Sequence, residues 1–436
     1  MLKLEHEFLD PGDAKGDQVR ASWGRLAISL NGIKVTRCIS GADTVRESIY
    51  GPLYPIAEWL AARWWSILYE LDNGANSREP LYARRHDLLL AEEGFALPRL
   101  WFQSRGSDVH VISYPFKHPT IPIEFTEPRA DAIIPAEELE GLLGDFISAV
   151  ANRLTAKGVA NTTLHADWKA IVNTTKDEKA FCIAAARLGL DPFDLPDPIA
   201  EAIEAAGTAL PVSVHEDLFA LAGSKDLGAW TKLVAQLLKT TKRNITDTSG
   251  LDNLQKALTK TRIRTDVPGY VVGYARAEKV RSLLKLNGDL LSTHNDLLDA
   301  FSLEADAAST AHTWEQQGLR GALAYGDKGT PVFVLNKRAN DRSQRFAMAR
   351  AIHEHLFHSG TSPRIITEVR SVDQSISRSF AAELLLPKRE LSKRITTKVV
   401  YGEQVDAFAD EFGVETDVVR YHIKNHKLAE VEELAL

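Results

Sequence analysis

The sequence predicts a multidomain α+β protein, and three observations lead to this prediction. With 436 residues the chain is too long for one compact hydrophobic core, so we expect two or three domains. Strand patterns dominate its first part, helical patterns dominate its middle, and both occur in its last third. We therefore divide the sequence into an N-terminal α+β domain at residues 1–155, a helical middle region with a polar linker at residues 156–264, and a C-terminal domain at residues 265–436.

The composition is that of an ordinary globular protein, with 44% hydrophobic and 25% charged residues. A net charge of −7 argues against a general nucleic-acid coat. The two cysteines, Cys38 and Cys182, cannot build a disulfide framework or a cysteine zinc site, which suits a reducing compartment. The charged N-terminus has no apolar signal region, and no apolar run approaches the roughly 20 residues of a membrane span. We therefore expect a cytoplasmic protein without a membrane partner.

Local strand and helix signals account for most of the N-terminal domain. Alternating apolar residues over residues 25–39 flank Asn31 and Gly32, which predicts a β-hairpin with a type I′ turn. Large apolar residues at helical spacing predict a helix over residues 51–71. Two more strands and a further helix are predicted at residues 99–103, 109–114 and 135–154. No chemical motif occurs in this domain, so its role is not assigned.

The middle region reads as helical from about residue 160 to residue 240. Residues 177–190 start like a helix-turn-helix, but the acidic DPFDLPDP that follows would repel phosphate, so a plain helical hairpin is predicted. Residues 240–265 are polar and locally basic, which favours a domain boundary whose charges form a solvated face.

The C-terminal domain has the most informative pattern. A helix is predicted over residues 269–286, and two strands at residues 321–325 and 331–336. A helix crowded with His and Glu follows at residues 345–358, RFAMARAIHEHLFH, and FAAELLLP at residues 380–387 predicts another helix that ends at its proline. Two strands followed by a histidine-containing helix are the core of a minimal zincin, a compact zinc-protease fold.

In a zincin an edge strand holds a peptide beside the metal by main-chain hydrogen bonds. Residues 331–336 are predicted to be this strand, with Val332, Val334 and Asn336 as its contact positions. A protein or peptide partner is therefore expected.

The C-terminal domain resembles the ImmA/IrrE family of bacterial metallo-endopeptidases. The matching pieces occur in the family's order and cover about residues 265–430: GYARAEKVRSLLKL, GLRGALAYGDKGTPVFVLN, RFAMAR, FAAELLLP and FGVETDVVRYHIKNH. The resemblance implies a minimal zincin-like fold. It also implies a setting in bacterial stress response, mobile-element control or phage defence.

The resemblance also assigns the positions of the family's zinc ligands. The family has His-Glu-x-x-His directly after the Ala of RFxxA, so its two histidines correspond to Arg350 and Glu354 and its general base to Ala351. Its third ligand, a glutamate, corresponds to a position near Ile376, with Ser375 beside it. Each of these positions is substituted, so the zinc motif is degenerate.

The substitutions predict a domain without a catalytic metal. Arg350 offers no lone pair to zinc, and Ala351 cannot take a proton from a metal-bound water. Because Arg350 and Glu354 are four residues apart on one helix face, we expect them to form an ion pair where the metal would lie. No catalytic residue and no cofactor are expected under this interpretation.

Neighbouring side chains offer an alternative zinc site with shifted ligands. Glu354 and His358 are four residues apart, and His355 and His358 are three apart, so these residues together with a distant ligand could hold zinc. The competing interpretation is that the histidines pack or cap at the helix end before Gly360.

The last helical segment allows a third interpretation. Residues 409–427 have helix-turn-helix spacing, and the second helix would carry a basic face. That face contains Arg420, His422, Lys424, His426 and Lys427, of which Arg420, Lys424 and Lys427 are the candidate contacts to DNA. The segment can equally be a plain part of the fold.

The sequence therefore supports three alternative functions. The first is a catalytically inactive pseudo-peptidase that binds a protein or peptide as a regulatory module. The second is a zinc endopeptidase with shifted ligands that cleaves a repressor-like protein. The third is a DNA-binding regulator that uses the terminal helices.

Overall fold

A computed structural model of the protein describes residues 1–41, 44–72, 80–91, 94–223, 226–239, 248–260, 263–264, 267–303, 309–326, 329–358 and 360–432. The chain folds into two compact units, residues 1–204 and 205–436. Among the described residues, no helix combines the length and the apolar character that a membrane crossing needs. The three-part division with boundaries at residues 155 and 264 remains a prediction.

The first unit contains antiparallel sheets. Its strands are β1 (Leu2–Phe8), β2 (Trp23–Leu30), β3 (Ile33–Lys34), β4 (Cys38–Ser40), β5 (Thr44–Arg46), β6 (Ile49–Pro52), β7 (Arg99–Ser104), β8 (Asp108–Tyr114), β9 (Phe116–Lys117), β10 (Ile123–Phe125) and β11 (Ala130–Pro135). They pair in the orders β1-β2-β3 with β6 on β2, β5-β4-β10-β9, and β11-β8-β7. The predicted hairpin is confirmed, because Asn31 and Gly32 join β2 to β3 with φ of 49° and 87°.

Helices complete the core of the first unit. They are α1 (Asp17–Ala21), α2 (Tyr54–Ala62), α3 (Trp64–Tyr69), α4 (Pro80–His86), α5 (Ala136–Ala156), α6 (Thr163–Val172), α7 (Lys176–Arg187) and α8 (Asp197–Ala209), which continues into the second unit, with a 3₁₀ turn at Leu88–Ala91. The single helix predicted over residues 51–71 is two helices that meet at Arg63. Helix α5 follows Pro135 as predicted and buries an apolar face that includes Leu139, Leu143 and Phe146.

The second unit surrounds one mixed sheet with helices. The helices are α9 (Val212–Leu221), α10 (Leu227–Leu238), α11 (Ser249–Thr259), α12 (Gly269–Leu283), α13 (His294–Ala300), α14 (Asp341–Phe357), α15 (Val372–Leu385), α16 (Lys388–Arg394), α17 (Gly402–Phe412) and α18 (Thr416–His426). The strands are β12 (Ser309–His312), β13 (Leu319–Tyr325), β14 (Pro331–Asn336), β15 (Arg364–Thr367), β16 (Val399–Val400) and β17 (Glu430–Val431). The main sheet has the order β12-β14-β13-β15, and β16 pairs with β17.

Helices α14 and α15 are central to the core of the second unit. Met348 and Ile352 of α14 and Phe380 and Leu384 of α15 are fully buried in one hydrophobic cluster. Helix α12 lies close against α15, because Gly273 has no side chain that would separate the two backbones. The histidine-containing helix and the FAAELLLP helix are therefore confirmed and in contact.

The predicted polar linker at residues 240–265 is wrong over much of its length. Residues 249–259 form α11, whose Leu251, Leu254 and Leu258 join the core of the second unit. These leucines recur at helical spacing, so the segment is amphipathic rather than uniformly polar. The rest of that prediction falls partly on residues 240–247, 261–262 and 265–266, which lie outside the described residues.

Candidate active site

Helix α14 buries polar residues along with its apolar ones. The Asn340 side chain caps its first turn by accepting a hydrogen bond from the N–H of Ser343, at 2.8 Å. The buried polar side chains that follow are Arg345, Arg350, His353, Glu354 and His355. Buried polar groups are costly unless they are hydrogen-bonded, so the partners of each side chain indicate what it does.

Arg350 is held by three acceptors from the neighbouring elements. Its guanidinium donates to the Thr367 carbonyl at 2.8 Å, to Ser377 Oγ at 3.2 Å and to the side-chain oxygen of Gln374. Only 2% of the residue is exposed. Burial lowers the pKa of Arg350 to about 9, so the side chain remains a cation at neutral pH.

Gln374, on α15, connects Arg350 to a buried carboxylate. Its side-chain oxygen also accepts the N–H of Thr367 at 3.0 Å. Its Nε2 donates to Asp217 Oδ2 at 2.7 Å and to the Ile365 carbonyl at 2.9 Å. Both polar atoms of the amide are therefore fully hydrogen-bonded, to groups on α14, β15 and α9.

Asp217 comes from α9, in the stretch that the sequence assigned to the helical middle region. Ser371 Oγ donates to its other oxygen at 3.4 Å. Burial raises the pKa of Asp217 to about 7, and the nearby Glu216 carboxylate acts in the same direction. We call Arg350, Gln374 and Asp217 the Arg350 network. Sequence reasoning missed both Gln374 and Asp217.

The expected ion pair between Arg350 and Glu354 does not form. Glu354 instead contacts His353 Nδ1 and His358 Nδ1, each at 3.1 Å. Burial alone would raise the pKa of Glu354, but hydrogen bonding from His353 and the charge of His358 outweigh it and lower that pKa. The prediction is wrong because each side chain has nearer partners on other elements.

His353 is a neutral structural histidine. Arg276 on α12 donates to its Nε2 at 2.9 Å, which leaves Nδ1 to carry the proton and donate to Glu354. Burial lowers the pKa of His353, which also favours the neutral ring. An arginine donor on one side and a carboxylate acceptor on the other therefore fix one tautomer.

The shifted ligand set of Glu354, His355 and His358 does not converge in the described part of the chain. His355 points its Nδ1 at the Tyr325 hydroxyl of β13, at 3.3 Å, whereas Glu354 contacts His358. Burial disfavours a charged His358 ring, but Asp373 and Glu354 outweigh burial and raise the pKa of His358. His358 therefore contacts the carboxylates of Glu354 and Asp373 at the end of α14.

Two of the other positions assigned to the zinc ligands and the general base, Ala351 and Ile376, have no polar atom in their side chains. Ala351 is buried in the core. Ile376 packs toward α12, where a Cβ built on Gly269 would lie 3.2 Å from its Cγ1. Gln374 reaches Arg350 instead; it lies two residues earlier, and two residues turn a helix by about 200°. The expected third position near Ile376 and Ser375 therefore belongs to another face of α15.

Strand β14 does not have the free edge that was expected of it. It pairs in parallel with β12 on one side and antiparallel with β13 on the other, and Val332 and Val334 are buried. The Asn336 side chain donates to the Trp314 carbonyl at 3.1 Å. The prediction of a peptide-binding edge strand is therefore wrong. The pairing was not predicted because β12, the parallel partner, has no clear strand pattern in its sequence.

The other edge of this sheet is occupied by β15, which follows α14. It pairs antiparallel with β13. Its Thr367 carbonyl accepts from Arg350, and its Thr367 N–H donates to Gln374. The chain therefore places one of its own strands along the β13 edge, next to the Arg350 network.

The predicted terminal helix pair is present as α17 and α18. Gly413 ends α17 with φ of 62°, a conformation that glycine adopts without strain. Arg420, Lys424 and Lys427 are exposed on α18 and its end. The predicted basic face is narrower than expected, because His422 is buried and His426 lies beside Glu383 in the interior.

Residues 306–424 match the IrrE N-terminal-like domain family. This range covers the main sheet, α14 to α17 and most of α18, whereas α12 lies outside it. No curated protein matches the chain at a significant level. Residues 306–424 of the second unit are therefore an ImmA/IrrE-like domain with a metallopeptidase-family fold.

Proposed function

We propose that the ImmA/IrrE-like domain is a pseudo-peptidase, which has lost its catalytic metal and acts by binding a protein or peptide in regulation. The single observation that carries the proposal is the position of Arg350. By the family resemblance it takes the place of the first zinc-binding histidine, and its buried guanidinium donates to three acceptors. A guanidinium has five donors and no lone pair, so it cannot be a metal ligand.

The surrounding residues do not fit a catalytic zinc ion either. Gln374 reaches Arg350 from α15, and both ends of its amide are already hydrogen-bonded. The general-base position is Ala351, which has no proton acceptor in its side chain. We therefore derive no hydrolytic step through a metal at this place.

The position of β15 also supports a binding role over cleavage. A peptide that added antiparallel to β13 beside Arg350 would meet main-chain groups already paired with β15. Such a substrate would have to displace a strand whose Thr367 is bonded to Arg350 and Gln374 through both main-chain groups. This arrangement favours recognition of a partner through another surface.

From the family resemblance we propose a role in bacterial stress response, mobile-element control or phage defence. A peptidase fold that catalyses no reaction can still bind a protein, so the proposed ligand is a regulatory partner protein. The alternatives are a shifted-ligand zinc endopeptidase and a DNA-binding regulator that uses Arg420, Lys424 and Lys427.

Activity measurements on the full chain test the proposal. We expect no cleavage of unfolded protein substrates or of a peptide library in zinc, manganese or cobalt. A matched variant carries Arg350→His, Ala351→Glu, Glu354→His and Gln374→Glu, which introduces a potential ligand set on α14 and α15. Metal-dependent cleavage by the natural chain that is lost in His358→Ala and kept in Arg350→Ala would overturn the pseudo-peptidase and support shifted ligands.

A further inference from the structure

We propose that Glu383, His422 and His426 bind a divalent transition-metal ion of the zinc class. Glu383 lies on α15, and both histidines lie on α18. These residues are distinct from the Arg350 network and from the positions that the family resemblance assigns to zinc ligands. The ion would join the terminal helix to the helix at the centre of the domain.

The distances among the three side chains fit a metal centre. Nε2 of His422 is 3.1 Å and Nε2 of His426 is 3.3 Å from the same oxygen of Glu383, Oε2. One ligand atom from each residue can be chosen so that all three lie within 4.8 Å of one another. Tetrahedral zinc, with bonds of about 2.0–2.2 Å to nitrogen and oxygen, holds neighbouring ligand atoms about 3.3 Å apart.

The same three atoms are buried and contact one another without good hydrogen-bond geometry. Within the part of the chain that the structure describes, Glu383 Oε2 and Nε2 of both His422 and His426 are buried, and their contacts at 3.1 and 3.3 Å do not have the angles of a hydrogen bond. Glu383 is 3% and His422 is 1% exposed. Buried polar atoms that lack partners are rare and costly, and a cation here would engage all three lone pairs at once.

Neighbouring groups orient the proposed ligands. The N–H of Lys388 donates to Oε1 of Glu383 at 3.0 Å, which leaves Oε2 for the ion. The Tyr274 ring lies against both imidazoles, with its centroid 5.3 Å from that of His422 and 4.4 Å from that of His426. Asn425 donates to the Tyr274 hydroxyl at 3.0 Å and holds that ring in place. Of these contacts, the hydrogen bond from Lys388 to Glu383 is of the kind that orients a metal ligand.

The ligand types select the class of metal. His422 and His426 are four residues apart, so both imidazoles project from one face of α18. Two imidazoles and one carboxylate suit zinc or cobalt better than magnesium or calcium, which prefer oxygen ligands throughout. A fourth position remains for water.

The site predicts a specific pattern of metal binding in the full-length chain. After treatment with a chelator and titration with zinc, we expect about one zinc per chain by plasma mass spectrometry and a higher unfolding temperature than in the metal-free protein. Cobalt in place of zinc should give the intense visible absorption of a four-coordinate ion. His426→Gln and Glu383→Gln should each lose the stoichiometric ion, the thermal shift and the cobalt band.

His355→Gln is the matched control. Like the proposed ligands it is a buried histidine whose Nε2 lacks a hydrogen bond, but it lies outside the cluster. It should retain zinc. Failure of the natural chain to hold zinc, or equal zinc retention in His426→Gln and Glu383→Gln with native circular dichroism, would overturn the site. These outcomes are separate from the cleavage assay, because the pseudo-peptidase proposal concerns Arg350 and makes no claim about this cluster.

Discussion

The side chains of Arg350 and Gln374 meet between α14 and α15, where the guanidinium donates to the amide oxygen. The same amide donates to Asp217 on α9 at 2.7 Å. A buried cation and a buried carboxylate are thereby separated by one neutral side chain. This relationship makes Gln374 the residue on which the local hydrogen bonding depends, since each of its polar atoms has two partners.

Replacing Gln374 with leucine should destabilise the protein strongly. The variant leaves Arg350, Asp217 and the Thr367 N–H without a shared partner in the interior. Uncompensated buried groups cost about 1–3 kcal/mol each, and more when charged, so we expect a loss of about 3 kcal/mol or more. Chemical denaturation measures the change. Ser375→Ala, on the next residue of the same helix, is the control and should change the free energy of unfolding by less than about 0.5 kcal/mol. Equal effects of the two substitutions would contradict the central role of Gln374.

Asp217→Asn should change how stability depends on pH. The pKa of Asp217 is raised from its ordinary value of 3.8 to about 7, chiefly by burial. Between these two values the folded state binds more protons than the unfolded state, so ionisation of Asp217 lowers stability as the pH rises from about 4 to about 7. Above pH 7 its contribution no longer changes.

The asparagine variant lacks this titration but can still accept from Gln374. Its stability relative to the natural chain should therefore rise between about pH 4 and pH 7, by an amount on the order of a few kcal/mol. Urea denaturation of both proteins across that range gives the difference in the free energy of unfolding. The contributions of the carboxylates that both proteins share cancel in this difference. A constant difference across the range would show that Asp217 is already ionised in the folded protein at low pH.

Local signals predicted much of the fold, and long-range contacts explain what they missed. The Asn31-Gly32 hairpin and the helices around FAAELLLP depend on short patterns. The pairing of β12 with β14 and the contact of Asp217 with Gln374 join distant segments. Nothing in a local pattern identifies such partners. A polar residue in an otherwise apolar helix was the available signal for Gln374.

Which residues of α15 face Arg350 depends on the rotation of the helix about its axis. Counting back from Phe380 placed the third position near Ile376, whose side chain packs toward α12. Gln374 lies two residues before Ile376, and two residues turn a helix by about 200°, so the two side chains lie on opposite faces of α15. The presence of these helices was therefore predictable, whereas the start of α15 at Val372 and the two residues that contact Arg350, namely Gln374 and Ser377, were not.

The double variant Arg420→Ala plus Lys424→Ala tests the DNA-binding alternative. Both side chains are exposed on α18, so we expect the free energy of unfolding to change by less than about 0.5 kcal/mol. Any loss of duplex affinity in the variant would then report lost phosphate contacts and should diminish as salt increases. Fluorescence anisotropy with labelled duplex at two salt concentrations measures it. A natural chain that does not bind duplex at low salt would exclude this function.

Gly273→Ala should destabilise the second unit by crowding α12 against α15. A Cβ at this position would lie 2.0 Å from Ser379 Oγ, 2.4 Å from the Ile376 carbonyl oxygen and 2.9 Å from the Phe380 nitrogen. Two of these atoms belong to the backbone and cannot rotate away, so the helices must separate. Overpacking of this kind costs about 1–3 kcal/mol, and thermal unfolding should show it.

Gly228→Ala is the matched control, because it also lies in a helix of the second unit but has no atom within 4 Å of the added Cβ. It should be neutral or slightly stabilising, since alanine favours helix. Adding Ser379→Ala to Gly273→Ala should recover little stability, because the Ile376 carbonyl oxygen remains in the way. Full recovery in that double variant would mean that the hydroxyl of Ser379, and not the backbone of α15, sets the distance between the two helices.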